Sequence, residues 1–93
     1  MKVTPAIIQH EFIGLQAKVT KSPNPYYIGI AGTVIDETRN TFMIMQDNKR
    51  KTVIKEQAVF HFTLPDGTTV EIDGKILIGR PEERLKKRIR RLW

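Results

Sequence analysis

The chain has 93 residues, enough for one domain with a modest core, and its lack of cysteine excludes disulfides, thiolate nucleophiles and cysteine-based zinc sites. No apolar stretch approaches the roughly 18 residues of a membrane helix, and the first residues lack the apolar core of a signal peptide, so we expect a soluble cytoplasmic protein. The formal net charge of +6 favours a partner rich in negative charge, such as a nucleic acid.

The chain begins with a segment that has the signature of a helix start. Thr4 precedes Pro5, and a capping hydroxyl before a proline is typical of the first helical turn, so a short helix is expected over residues 5–10. This segment is more apolar than a solvated terminus needs to be, because it contains Ile7, Ile8, Phe12 and Ile13. Packing on the rest of the domain and packing on another protein both remain open.

A first strand is predicted from Gly14 onward, because Leu15, Ala17 and Val19 alternate with polar residues. It ends in a loop at residues 21–25.

In that loop two prolines flank Asn24. Proline fixes φ and cannot donate to a sheet ladder, so an ordered, stiff loop is expected. Tyr26 and Tyr27 follow directly, and one of the two is expected to pack on the domain.

Residues 29–54 contain three short runs rich in Val, Ile, Thr and Phe, which is typical of strands. Turn-forming residues separate the runs at 37–40 and 47–48. Gly29 and Gly32 lie early in the first run, where a missing Cβ permits the bend that a small closed barrel needs.

Residues 58–64 alternate between apolar and outward-facing residues, which predicts a strand. Its inward residues are Ala58, Phe60, Phe62 and Leu64. A hairpin turn at 65–67 leads to a strand over 68–72, and a second turn at 73–74 leads to a strand over 75–78.

Six or seven short strands with no helix between them predict an all-β fold, a small antiparallel barrel of about six strands. We divide the single domain into an N-terminal segment (residues 1–13), the barrel (residues 14–79) and a basic C-terminal helix (residues 80–93).

The C-terminal residues 80–93 have nearly every helix signal. Pro81 suits the first turn, two glutamates follow at the positive end of the helix dipole, and the cations come after them. Seven basic residues against two acidic ones place most of the net charge here. The helix also has a narrow apolar stripe of Leu85, Ile89 and Leu92. That stripe needs a partner surface, either the barrel or another chain.

The sequence predicts no active site. His10 and His61 are the only histidines, and no recognisable nucleophile elbow or phosphate loop accompanies them. His61 faces outward on its strand, so we interpret it as a surface or interface residue and not as a base or ligand. Asp36, Glu37 and Asp47 could in principle bind a hard cation, but acids are common near turns and we interpret them as turn residues.

Three groups of residues are candidates for RNA binding. Their cations would contact phosphates, their hydroxyl and amide groups would donate to phosphate or 2′-hydroxyl oxygens, and a tyrosine would stack on an unpaired base. The first group is the loop with Lys21, Ser22, Asn24 and Tyr26. The second is the turns with Arg39, Asn40, Lys49, Arg50 and Lys51. The third is the C-terminal helix with Arg80, Arg84, Lys87, Arg88 and Arg91.

Five short motifs occur in a characteristic order: EFIGL at 11–15, SPNP at 22–25, GIAGTVIDETRNT at 29–41, LPDG at 64–67 and GRPEER at 79–84. With these motifs the chain resembles the ribonuclease P protein component 1 family, whose members are subunits of ribonuclease P in archaea and eukaryotes. The string GIxGxVxDETxNT is the most specific part. The long basic N-terminal extension of eukaryotic members is absent from this sequence, so the resemblance is to the archaeal form.

The resemblance implies an Sm-like barrel that binds and stabilises a catalytic RNA, which removes 5′ leaders from precursor tRNA. The RNA and its magnesium ions would supply the chemistry, the protein would hold no cofactor or metal, and precursor tRNA would be contacted only indirectly. It further implies a zinc-ribbon protein partner, which in this family packs on the N-terminal segment, one barrel strand and the C-terminal helix. The residues expected at that contact are Ile7, Ile8, Phe12, Leu85 and Ile89.

Two alternatives remain open. The chain could be an Sm-like or SH3-like module that binds protein, with an incidental basic helix. It could also form an Sm-type ring through exposed edge strands, although we expect a monomer when it is isolated.

Overall fold

The computed structural model describes residues 11–79, in which six β-strands and two short 3₁₀ helices follow one another. The strands are β1 (Gln16–Lys21), β2 (Ala31–Glu37), β3 (Thr41–Gln46), β4 (Lys49–Ile54), β5 (Val59–Thr63) and β6 (Thr69–Asp73). Helix η1 (Lys55–Gln57) joins β4 to β5, and helix η2 (Gly74–Leu77) follows β6. The helices predicted over residues 5–10 and 80–93 lie outside the described residues.

The six strands form one antiparallel sheet in the order β4-β3-β2-β1-β5-β6. Strands β1 to β4 are successive neighbours, as in a meander, whereas β5 pairs with the other side of β1. The sheet therefore curls around one core with β1 near its middle. This confirms the predicted all-β, barrel-like fold of about six strands.

Two register shifts and one glycine shape the curvature of the sheet. The pairing register of β1 with β5 shifts after Val19, and the pairing register of β2 with β3 shifts after Val34. Gly32 lets β3 approach closely, since a Cβ on Gly32 would lie 1.9 Å from the carbonyl oxygen of Met45. Such features bend a strand and strengthen its twist, as closing a small barrel requires.

The predicted turns at residues 47–48 and 65–67 are confirmed. Asp47 and Asn48 join β3 to β4 with φ values of 50° and 63°. A two-residue loop with positive φ at both positions matches the twist of the strands that it connects. Between β5 and β6, Gly67 has a φ of 89°, and Leu64 N donates to Thr68 O at 2.7 Å.

The core lies inside the curled sheet and is centred on phenylalanine rings. The four rings are fully buried, and neighbouring centroids are 4.5 to 5.8 Å apart; the residues are Phe12, Phe42, Phe60 and Phe62. Such contacts add stabilisation beyond the area that they bury. The alternation predicted for the first strand and for residues 58–64 is confirmed, because the apolar residues of both face this core.

Phe12 corrects one prediction. The sequence analysis assigned it to a protein contact, but its side chain is 0% exposed and its ring centroid lies 4.5 Å from that of Phe62. Burying a side chain of this size stabilises the fold by about 1.5–3 kcal/mol. The assignment to a partner is therefore wrong, and of the two alternatives Phe12 packs on the domain. Its neighbour Ile13 is 42% exposed.

The strand predicted over residues 75–78 is also wrong, because these residues fall mostly in η2. The Asp73 carboxylate accepts a hydrogen bond from Lys75 N at 2.9 Å, which caps the helix. Gly74 packs closely against η1, since a Cβ there would lie 1.8 Å from the carbonyl oxygen of Lys55. Strands β4 and β6 are not hydrogen-bonded neighbours, and the contact between the helices that follow them joins the two ends of the sheet.

Candidate nucleic-acid interface

The loop after β1 is held by its own side chains. Ser22 Oγ accepts a hydrogen bond from Asn24 N at 3.0 Å, and Asn24 Oδ1 accepts one from Tyr26 N at 3.0 Å. Asn24 O also accepts from Tyr27 N at 3.0 Å. Side chains that bond to the backbone two residues on are a standard way to fix a turn. The predicted ordered loop is confirmed, and the Ser22 hydroxyl and the Asn24 amide nitrogen can still donate to a ligand.

Tyr26 and Tyr27 point in different directions. Tyr27 is half-buried against the core, and its hydroxyl accepts a hydrogen bond from Ile54 N at 3.4 Å. Tyr26 is 88% exposed. One tyrosine therefore packs on the domain, as predicted, and the other presents its ring to solvent, where an unpaired base could stack on it.

The turn between β2 and β3 presents Arg39 and Asn40 at the surface. Thr38 and Thr41 close this turn, with their hydroxyl oxygens 2.6 Å apart and Thr38 N donating to Thr41 O at 2.9 Å. Asn40 O accepts from the backbone nitrogen of Lys55 at 2.8 Å. The turn therefore lies against the end of β4, on the segment that Tyr27 also contacts.

A buried ion pair lies beneath this turn. Lys55 Nζ is 2.6 Å from Glu37 Oε2, and both side chains are 0% exposed. Lys55 Nζ also lies 4.8 Å from the centroid of the Phe42 ring. The interpretation of Glu37 as an ordinary turn acid is wrong, because its carboxylate points into the domain and binds an ammonium group.

Lys55 is not among the residues predicted from the sequence, although strand alternation gives one signal for it. Lys51, Val53 and Lys55 share one face by strand alternation, so the inward position of Val53 directs Lys55 inward as well. Glu37 could not be placed by alternation, because the register shift after Val34 changes which residues of β2 face the core.

The basic hairpin at Lys49, Arg50 and Lys51 lies at the opposite end of β4 from the β2–β3 turn. These residues form the first half of β4 and pair with the last residues of β3, whereas the turn at Asn40 adjoins the far end of β4. Ile54 follows Lys49 by five steps along the strand, which corresponds to about 16–17 Å. The loop after β1, through Tyr27, and the β2–β3 turn, through Asn40, therefore both contact the end of β4, whereas the basic hairpin is at its start.

Lys21 borders an open cleft of about 320 Å³ beside η1 and η2. Lys75 also lines this cleft, but Glu56 and Asp73 do so too. Opposite charges at close range cancel much of the local potential. The cleft is therefore of mixed charge, which weakens Lys21 as a candidate phosphate contact.

His61 lies on the outer face of β5, as predicted, and pairs with a carboxylate. Its Nε2 is 2.7 Å from Glu71 Oε1, and the two residues are opposite each other in the β5–β6 ladder. The hydrogen bond from His61 holds the pKa of Glu71 below its usual value of 4.5, and the positive charges of His61 and Lys21 act in the same direction. The pair is a cross-strand contact on the surface.

The remaining candidate site residues lie outside the described residues. They are Arg80, Arg84, Lys87, Arg88 and Arg91 of the RNA-binding set, and Ile7, Ile8, Leu85 and Ile89 of the partner-binding set. Within residues 11–79, His, Asp and Glu side chains form no cluster of three that could hold a metal ion. No helix in this part of the chain is long and apolar enough to span a membrane.

Comparison with known proteins gives consistent matches along the chain. The family model of ribonuclease P/MRP, subunit p29, matches residues 5–87. Ribonuclease P protein component 1 of Thermofilum pendens is 48% identical over 95 aligned positions, which cover 100% of both chains. The protein of the same name from Methanothermobacter thermautotrophicus is 50% identical, over 96% of this chain and 98% of that one.

A solved structure agrees with these sequence matches. The structure of Mth11, described as a homologue of the human RNase P protein Rpp29, superimposes with a TM-score of 0.60. It is 51% identical in sequence, and the match covers 81% of this chain and 97% of that one. A match of the family model over most of the chain, together with relatives at this level of identity, is decisive: the chain belongs to the ribonuclease P/MRP subunit p29 family.

Proposed function

We propose that this chain is the protein subunit of ribonuclease P that binds and stabilises the catalytic RNA while 5′ leaders are removed from precursor tRNA. The observation that carries the proposal is the identity of 48% and 50% to two archaeal proteins named ribonuclease P protein component 1, over nearly their whole length. In this proposal the RNA holds the magnesium ions and supplies the chemistry, and the protein acts in the cytoplasm.

The described surface supports a role in RNA binding. The loop at Ser22 to Tyr26 offers a fixed backbone, donor groups and an exposed aromatic ring, and the nearby β2–β3 turn offers Arg39. Single-stranded RNA is commonly bound by this combination of stacking and phosphate contacts. We assign the Lys49–Lys51 hairpin to a separate phosphate contact, because it lies at the other end of β4.

We also propose a zinc-ribbon protein partner. Phe12 is in the core and is therefore left out of this contact. The contact with the partner would use Ile7 and Ile8 from the N-terminal segment and Leu85 and Ile89 from the C-terminal one. Apolar residues in short amphipathic segments are stabilised mainly by packing on another surface.

Binding to a ribonuclease P RNA at two salt concentrations tests the RNA-binding role. Each phosphate contact releases counterions, so binding becomes weaker as salt is added. With four or more contacts, raising the salt from about 50 to 200 mM should lower the affinity roughly a hundredfold or more. Changing Arg84, Lys87, Arg88 and Arg91 to alanine should weaken binding further and make the salt dependence shallower. Lys18→Ala, an exposed cation outside the three groups, is the control and should change little. An affinity that does not change with salt would favour a protein-binding module instead.

A further inference from the structure

Lys55 makes more contacts than an ion pair requires. Its Nζ lies 2.6 Å from Glu37 Oε2 and within 3.2 Å of three backbone carbonyl oxygens. The carbonyls belong to Thr38 at 2.9 Å, Arg39 at 3.2 Å and Gly79 at 2.8 Å. The ammonium group thus joins β2, the β2–β3 turn and the last described residue of the chain.

A second contact joins the same two segments. Gly79 N donates to Arg39 O at 2.7 Å, so Gly79 is bound through both its nitrogen and its oxygen. The next residue in the chain is Arg80, where the strongly basic residues 80–93 begin. The residue that precedes that segment is therefore bound to the turn that carries Arg39.

Stability alone is a poor explanation for this arrangement. Taking an ammonium and a carboxylate out of water costs several kcal/mol per ion, and replacing a buried pair by apolar residues is often neutral or stabilising. Apolar side chains could fill the same volume, but they could not bond three carbonyl groups from two distant parts of the chain. What the ammonium adds is a defined relative position of those parts.

We propose that Lys55 is a positioning residue, which holds Gly79 against the β2–β3 turn, so that the basic residues following Gly79 in the chain are tethered at this turn and both can bind the same RNA. The inference rests on the RNA-binding function proposed above. When two basic elements are joined at one fixed point, binding of the first raises the effective concentration of the second at the RNA.

The test uses a double variant, Lys55→Met with Glu37→Leu, which removes both charges and leaves none unpaired. Thermal unfolding should show that it still folds. We expect the Gly79 amide to exchange its hydrogen at least tenfold faster. Its acceptor, the Arg39 carbonyl, and the Gly79 carbonyl would no longer be held together by hydrogen bonds from the Lys55 ammonium group. Affinity for a ribonuclease P RNA should fall roughly tenfold. If this variant does not fold, Lys55→Gln with Glu37→Gln makes the same test, since a neutral amide nitrogen donates to at most two oxygens.

A matched control separates positioning from general stability. Val70→Ala removes a 3% exposed core residue on β6, away from these contacts, and should lower stability without changing Gly79 exchange or RNA affinity. An equal loss of affinity in Val70→Ala would overturn the inference, and so would faster exchange with unchanged affinity in the double variant. If the unmodified chain does not bind RNA, the proposed function fails, while the exchange of Gly79 still decides whether Lys55 couples the two segments.

Discussion

Tyr26 and Tyr27 are neighbours in the chain with opposite environments. Tyr26 is 88% exposed, whereas Tyr27 packs on the core and bonds Ile54 N. Because Tyr26 makes little contact with the domain, Tyr26→Ala should change the free energy of unfolding by less than about 0.5 kcal/mol. If a base stacks on its ring, RNA binding should weaken by about 1–3 kcal/mol.

Chemical unfolding and RNA titration of the same samples check this expectation. Tyr27→Ala is the matched control, and it should lower stability clearly because it removes packing and a hydrogen-bond acceptor for Ile54 N. Unchanged RNA affinity in Tyr26→Ala would remove this residue from the interface.

Glu71 gives an expectation for pH. The His61 hydrogen bond lowers its pKa below 4.5, so its ionised form is stabilised by folding. This contribution to stability is present at pH values above 4.5 and is lost as the pH falls through the lower pKa of the folded state. In His61→Ala, the pKa of Glu71 should therefore return toward 4.5.

A carboxyl NMR titration measures the change directly. Asp66 is an internal control, because its pKa is lowered mainly by the backbone hydrogen bond from Thr68, which His61→Ala leaves in place. A Glu71 titration that is the same with and without His61 would show that the hydrogen bond does not form in solution.

Individual buried charges were the hardest residues to predict from the sequence. The alternation of apolar residues placed Ala17, Val19, Phe60 and Phe62 correctly, since strand period alone decides which face they occupy. Glu37 was misplaced because the register shift in β2 interrupts that period. The ordered loop that carries the candidate residues Ser22, Asn24 and Tyr26 was predictable because prolines and an Asn favour such a loop whatever surrounds it.

At the scale of elements, the close contact of β2 with β3 depends on Gly32. A Cβ there would lie 1.9 Å from the backbone oxygen of Met45, so Gly32→Ala must push the two strands apart. Gly14 is the comparison, because its φ of 95° is strained for alanine but no atom lies within 4 Å of an added Cβ. Gly14→Ala should cost about 1–2 kcal/mol, and Gly32→Ala should cost more.

Urea unfolding of both variants measures the difference. A cost for Gly32→Ala no larger than that for Gly14→Ala would mean that β2 and β3 can separate easily, contrary to the tight packing of this sheet.

Elements were predictable where local chemistry is strong. The turns at Asp47 and Gly67 follow from residues that accept positive φ. Residues 75–78 were predicted as a strand because they follow a turn signal at 73–74, but a run of four residues is too short to show a strand period. Its conformation is set by the Asp73 cap and by the packing of Gly74 on Lys55, which are tertiary effects.

At the scale of the whole molecule, the charge is divided sharply. Residues 11–79 contain eight basic and eight acidic residues, so the net charge of +6 comes from the two terminal segments. Of the eight cations, Lys55 is buried and cannot reach RNA. In the proposed function we therefore expect the barrel to contribute shape, a stacking ring and a few placed cations, and the terminal segments to contribute most of the attraction to RNA.

Reconstitution of precursor-tRNA cleavage tests the central claim most directly. A ribonuclease P RNA and the other protein subunits are assayed with and without this chain, across a series of its concentrations and of magnesium concentrations. We expect the chain to raise the cleavage rate at the 5′ leader junction or to lower the magnesium required, and to cleave nothing without the RNA. No effect at any concentration, or cleavage of transcripts by the chain alone, would contradict the account.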